Sequence, residues 1–128
     1  MPVKIKSVAK TQPGVAGGGN VKYYASTVTD GVMDIDDLTK AIEKISTVSG
    51  ADIRAVLYSL VDVTADGLAR GANIKMGDLG NFRISVSSEG KDTPKDVTAN
   101  AVKKVSIIFT PGKRLKETLN NLKYTKVS

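Results

Sequence analysis

Residues 68–82, Leu68-Ala69-Arg70-Gly71-Ala72-Asn73-Ile74-Lys75-Met76-Gly77-Asp78-Leu79-Gly80-Asn81-Phe82, contain the change of hydrophobic period that decides the fold. Before Gly71 the apolar residues recur at helical spacing, and after it they alternate. Ile74 and Met76 flank Lys75, Gly77-Asp78-Leu79-Gly80 makes a turn, and Phe82, Ile84 and Val86 then alternate with Arg83, Ser85 and Ser87. That pattern predicts a β-hairpin with one packed face.

Upstream, Ser49 and Asp52 have the Ser-x-x-acid spacing of a helix start, and Gly71 suits the left-handed residue that closes a helix. A helix is predicted over roughly Ala51 to Arg70. Its apolar residues Ile53, Val56, Leu57, Leu60, Val61, Val63 and Leu68 spread wider than one stripe, so more than one neighbour must cover it. A single small subunit offers too little cover, which predicts a homodimer. Before it, Asp34 is the expected N-cap of a first helix reaching about Val48, with Asp36 and Asp37 in its first turn and Ile35, Leu38, Ala41, Ile42 and Ile45 on one face. Asp30, Asp34, Asp36 and Asp37 lack the glycine and bidentate Glu of a calcium loop, so capping explains them better.

Downstream, Ser88 to Ala101 has almost no apolar residue but holds Gly90, Pro94 and five charges, so it is expected to project from the body. Val102 to Phe109 returns as a strand with Val105, Ile107 and Phe109 inward. Thr110 is the expected cap and Pro111 the first turn of a third helix lined by Leu115, Leu119 and Leu122. At the other end, Val3 to Val8 and Val21 to Val28 read as two strands. Lys10 to Asn20, with Pro13, Gly14 and Gly17-Gly18-Gly19, reads as a linker, because the Gly-Lys-Ser/Thr ending of a phosphate loop is missing.

The 128-residue chain has a net charge of +6 and no cysteine, histidine or tryptophan. Disulfides, Cys/His zinc sites, thiol nucleophiles and imidazole bases are thereby excluded. Asp62 and Asp66 lie one helical turn apart, where a solvated face explains them better than acid/base work, so no enzyme and no cofactor is expected. No apolar run is long enough for a membrane helix, and Met1 to Lys10 is too charged for a secretory leader, so a cytoplasmic protein is expected. Residues 81–128 carry ten bases against four acids, which makes a polyanion the first partner to consider.

From about Asp34 to Leu122 the chain resembles the bacterial histone-like HU/IHF family. The marks are Leu68-Ala69-Arg70-Gly71 leading into Ile74-Lys75-Met76, the turn Gly77-Asp78-Leu79-Gly80-Asn81-Phe82, and Phe109-Thr110-Pro111-Gly112-Lys113 opening the last helix. The resemblance implies an α+β fold: an intertwined homodimer with two helices, a three-stranded antiparallel sheet with a projecting β-arm over about 86–104, and a short C-terminal helix. Residues 1–33 look like an added N-terminal two-stranded segment with a Gly-rich loop, ahead of a DNA-binding domain at 34–128. The implied function is histone-like: duplex or distorted DNA bound at the nucleoid with little sequence specificity, and bent or compacted by arms in the minor groove. No membrane and no small-molecule substrate is implied as a partner.

By position in that family, Pro94 is the candidate wedge between base steps, and Arg83, Lys91, Lys95, Lys103 and Lys104 are the arm cations. Gly80, Asn81, Lys113, Arg114 and Lys116 would meet phosphates near the body, with free N–H groups of a helix starting at Pro111 beside them. The arm departs from the family pattern: Asp92-Thr93-Pro94 stands where an Arg-Asn-Pro run is usual, and residues 88–101 hold two bases against three acids. Pro94 is thus either a wedge or a turn proline. Arg83, Lys103 and Lys104 either meet DNA or guard a strand edge. Lys113, Arg114 and Lys116 either bind phosphate or form a solvated face. Tyr23 and Tyr24 read as packing or subunit-contact residues more than as base-stacking ones. A second outcome is an HU-like structural or protein-interaction module with weak or no DNA binding.

Overall fold

The computed structural model describes residues 2–11, 14 and 19–127. Gln12, Pro13 and residues 15–18 lie outside them, and with them most of the Gly17-Gly18-Gly19 run. The chain divides into two compact units: residues 1–34 with 120–128, and residues 35–119.

In the first unit, β1 (Val3–Thr11) and β2 (Val21–Val28) pair antiparallel from Lys4↔Val28 to Thr11↔Val21. A third strand was not expected. Tyr124–Lys126, named β6 in chain order, adds parallel to β1 with Val3 opposite Tyr124, giving the order β2-β1-β6. Val3 N–H donates to Lys123 C=O at 2.7 Å and Val127 N–H to Ile5 C=O at 2.8 Å, so both ends of the short strand are tied.

In the second unit, α1 spans Ile35–Ile45 and α2 spans Gly50–Ala69. The first helix stops short of Val48: Ser46 Oγ accepts the Val48 N–H at 3.3 Å, and Ser side chains favour such local bonds over another helical turn, while β-branched Thr47 and Val48 lose rotamer freedom in a helix. Ser49 caps α2 through the Asp52 N–H at 3.3 Å, as its spacing predicts, and the Glu43 carboxylate accepts the Gly50 N–H at 2.6 Å. Gly71 closes the helix with φ +82°. The residue most buried on α1 is Thr39 instead of the aliphatic row, its hydroxyl donating to Ile35 C=O at 2.7 Å. That internal bond lets a hydroxyl sit where the helices meet.

β3 (Ile74–Lys75), β4 (Gly80–Ser88) and β5 (Val102–Pro111) form the second sheet in that order. The register pairs Phe82 with Phe109, Ile84 with Ile107 and Val86 with Val105, so six apolar side chains share one face. The rings of Phe82 and Phe109 lie 4.9 Å apart at 42°. The expectation that Val105, Ile107 and Phe109 point inward needs correcting, because all three are exposed in the single chain. Only six described residues are buried at all: Thr39, Ile53, Gly67, Leu68, Gly80 and Ala101.

The third helix also differs from expectation. Pro111 is the last residue of β5, paired with Gly80, and α3 runs only over Lys113–Leu119. Asn120 and Asn121 are weak helix formers, which shortens it, and Leu122 falls outside.

Candidate nucleic-acid interface

Alternation along the β4–β5 ribbon gives its second face to Asn81, Arg83, Ser85 and Ser87 on β4 and to Lys104, Ser106, Ile108 and Thr110 on β5. Neither strand contains an acidic residue. The ribbon is therefore two-faced, apolar on one side and cationic or hydroxyl-bearing on the other. Arg83 and Lys104 share the polar face. Lys103 does not pair, because the ladder jumps from Ser87↔Lys104 to Ser88↔Val102, a bulge that sets Lys103 apart from its neighbour.

At the far end of the ribbon, Glu89 N–H donates to Ala101 C=O at 2.8 Å. The segment it closes is folded: 3-10 turns occupy Pro94–Asp96 and Ala99–Ala101, and Ala101 is 2% exposed. Pro94 starts the first turn, and its carbonyl accepts the Val97 N–H at 3.2 Å. Thr93 Oγ1 donates to Asp96 Oδ2 at 3.0 Å. Lys91 is held by Glu89 at 3.1 Å, and Lys95 lies within the Pro94 turn.

At the opposite end, the turn and the last helix are joined. Met76 N–H donates to Gly80 C=O at 2.9 Å, and Gly112 N–H donates to Leu79 C=O at 3.0 Å. That second bond consumes an amide expected to face a phosphate. Lys113, Arg114 and Lys116 follow on α3, with Arg114 Nη1 donating to Thr118 Oγ1 at 3.2 Å. Gly80 is buried with φ +142°, and a Cβ there would strike the Thr110 carbonyl and come within 2.7 Å of the Phe109 ring. Only glycine fits, so Gly80 shapes the turn from inside.

The structure thus sorts the expected residues into groups. Asn81, Arg83 and Lys104 lie on one ribbon face, Lys113, Arg114 and Lys116 follow its base, and Lys91, Pro94 and Lys95 lie in the loop at its tip. Eight ladder steps separate Gly80 from Ser88, about 26 Å at strand rise. The hydroxyl row Ser85, Ser87, Ser106 and Thr110 was missed as a set of donors, although its alternation with Phe82, Ile84 and Val86 was readable.

Apolar surface is plentiful beside this interface. Val56, Val61 and Val63 on α2 are each more than half exposed. A groove of about 380 Å³ runs between α2 and the sheet, lined by Leu60, Val61, Leu68, Met76, Phe82 and Ile107 among others.

Solved structures of similar fold include the following two. One is a crystal structure of a candidate bacterial DNA-binding protein from Bacteroides vulgatus ATCC 8482, with TM-score 0.67 and 14% identity over 98% of this chain. The match covers 48% of that protein, so this chain spans about half its length. The other is a cocrystal of Anabaena HU with DNA, with TM-score 0.53 and 18% identity over 68% of this chain and 97% of HU. No curated protein matches in sequence. A family match runs over residues 1–126, to HU-HIG, described as an HU domain fused to a wHTH, Ig or glycine-rich motif. With its two helices, β-ribbon and short third helix, the chain has an HU-like α+β fold and belongs to the HU-HIG family.

Proposed function

We propose that two copies of this chain assemble into a dimer that binds duplex DNA through phosphate contacts, with little sequence specificity, and bends or compacts it at the nucleoid. The observation that carries this reading is the two-faced ribbon. Its apolar face, with the uncovered side of α2, calls for a second copy. Its other face offers Arg83, Lys104 and a row of hydroxyls with no carboxylate among them, the side-chain types that donate to phosphate oxygens. Lys113, Arg114 and Lys116 extend the cationic set. The fold shared with an HU that has been crystallised with DNA supports the same reading.

Contacts of this kind position a protein on DNA without reading a base pattern, so affinity should depend on salt and DNA shape more than on sequence. Pro94, as the first residue of a 3-10 turn in a loop holding three acids, is better suited to shaping the arm's tip than to wedging between bases. A second reading is favoured by that loop alone: an HU-like dimer whose arms no longer embrace DNA. A gel-shift series on linear, bent, nicked and junction DNA at low salt separates them. Binding to at least one form is expected, and failure on all four overturns the proposal in favour of the second reading.

A further inference from the structure

The net charge is concentrated outside the HU-like unit. Residues 1–34 and 120–128 carry six bases and two acids, net +4, whereas residues 35–119 carry thirteen bases and eleven acids, net +2. About two thirds of the excess cation charge therefore belongs to one third of the chain, the unit built on the β2-β1-β6 sheet.

The ladder gathers much of this charge on one face. Lys4, Lys6 and Lys10 alternate along β1 and point to the same side. Cross-strand pairing adds Ser26 opposite Lys6, Tyr24 opposite Val8 and Lys22 opposite Lys10. Lys4 is paired with Asp30 at 3.1 Å. Lys6, Lys10 and Lys22 have no carboxylate partner among the described residues.

Lys10 and Lys22 face each other directly, which brings their Cβ atoms to about 5 Å and makes the pair repulsive. Guarding an open edge would explain lysines on a strand but not two opposed across one ladder position. A bound anion reverses the sign of that interaction. Tyr24, 40% exposed, lies between the Lys6 and Lys10 positions and offers a phenolic donor among the cations. A row of cations with a donor in its midst suits a chain of phosphates better than a single ion.

We propose that the lysine face of the β1–β2 sheet is a second phosphate-contact surface for duplex DNA, additional to the ribbon and α3. It rests on the DNA reading above. The test uses the full chain and a 30-bp duplex, with affinity measured by fluorescence anisotropy across a salt series. Replacing Lys6, Lys10 and Lys22 together by Ala should lower the steepness of log affinity against log salt by about 2 to 3 for each copy whose sheet meets the duplex, near 0.9 for each lost phosphate contact. The corresponding triple Lys→Arg variant should keep the parent slope. Should the triple Ala variant lose its far-UV circular dichroism, Lys22→Ala alone should still lower the slope by about 1 for each copy whose sheet meets the duplex.

An unchanged slope in a folded Ala variant, with the parent still binding DNA, overturns this proposal and leaves the DNA reading standing. A parent chain that ignores the duplex overturns the DNA reading first and this proposal with it. Unchanged DNA binding combined with lost binding to phosphatidylglycerol vesicles would also overturn it, assigning the face to a membrane surface instead.

Discussion

The backbone N–H of Glu89 donates to the carbonyl of Ala101 at 2.8 Å, and that bond closes the tip of the ribbon into a folded loop. Inside it Lys91 is held by Glu89 and Thr93 by Asp96, so side-chain as well as backbone bonds shape the segment. The sequence predicts projection from the lack of apolar residues. The local bonds that fold the tip depend on individual hydroxyl and carboxylate placements that no periodicity signals.

Pro94 tests what that tip does. Its ring fixes φ at the start of a 3-10 turn. Pro94→Ala should leave both DNA affinity and the bend angle, measured by fluorescence energy transfer across a labelled duplex, within about twofold, because a turn residue contributes little to a phosphate-driven complex. A collapse of the bend with affinity retained would show that the proline wedges between bases.

The dimer is tested on α2. Val61 is 61% exposed in the single chain and lines the groove between α2 and the sheet. Val61→Glu would place a carboxylate in that apolar surface on both copies, and the dissociation constant of the dimer should rise by about 100-fold or more. Analytical ultracentrifugation reads this directly. A parent protein that sediments as a monomer at micromolar concentration contradicts the dimer.

Gly80 has no room for a side chain. Gly80→Ala adds a Cβ against Thr110 C=O and the Phe109 ring at φ +142°. Backbone strain and overpacking together should cost about 2 to 5 kcal/mol, measured by urea denaturation. A change below about 0.5 kcal/mol would mean that the turn shifts freely and does not fix the ribbon to α3.

At the base of the ribbon, Lys113→Ala with Arg114→Ala should weaken DNA binding and reduce the salt slope by about 2 for each copy whose third helix meets the duplex, with no change in the dimer. An unchanged slope would make these two side chains a solvated helix face.

Much of the fold was legible because its signals are local. The switch of period at Gly71 marks the end of α2 and the start of the hairpin, and Ser49 with Asp52 marks the start of that helix. What escaped was set by distant partners or single irregularities. β6 is three residues long and gains its status only by pairing with Val3–Ile5 at the other end of the sequence. Pro111 reads as a helix start, yet it pairs with Gly80 on the end of β5, where its missing N–H costs little. Thr39 occupies a buried position because its hydroxyl is satisfied within its own helix turn. Among the site residues, the alternation that placed Arg83 on a polar face was readable, whereas the bulge that parts Lys103 from Lys104 was not.

The most direct test of phosphate-driven binding is the parent protein's affinity for two duplexes of equal length, one A·T-rich and one G·C-rich, from 50 to 300 mM salt. Log affinity should fall with log salt at a slope of about −4 to −7, with the two duplexes within about tenfold of each other throughout. A flat salt dependence, or no binding to either duplex at 50 mM salt, would contradict it.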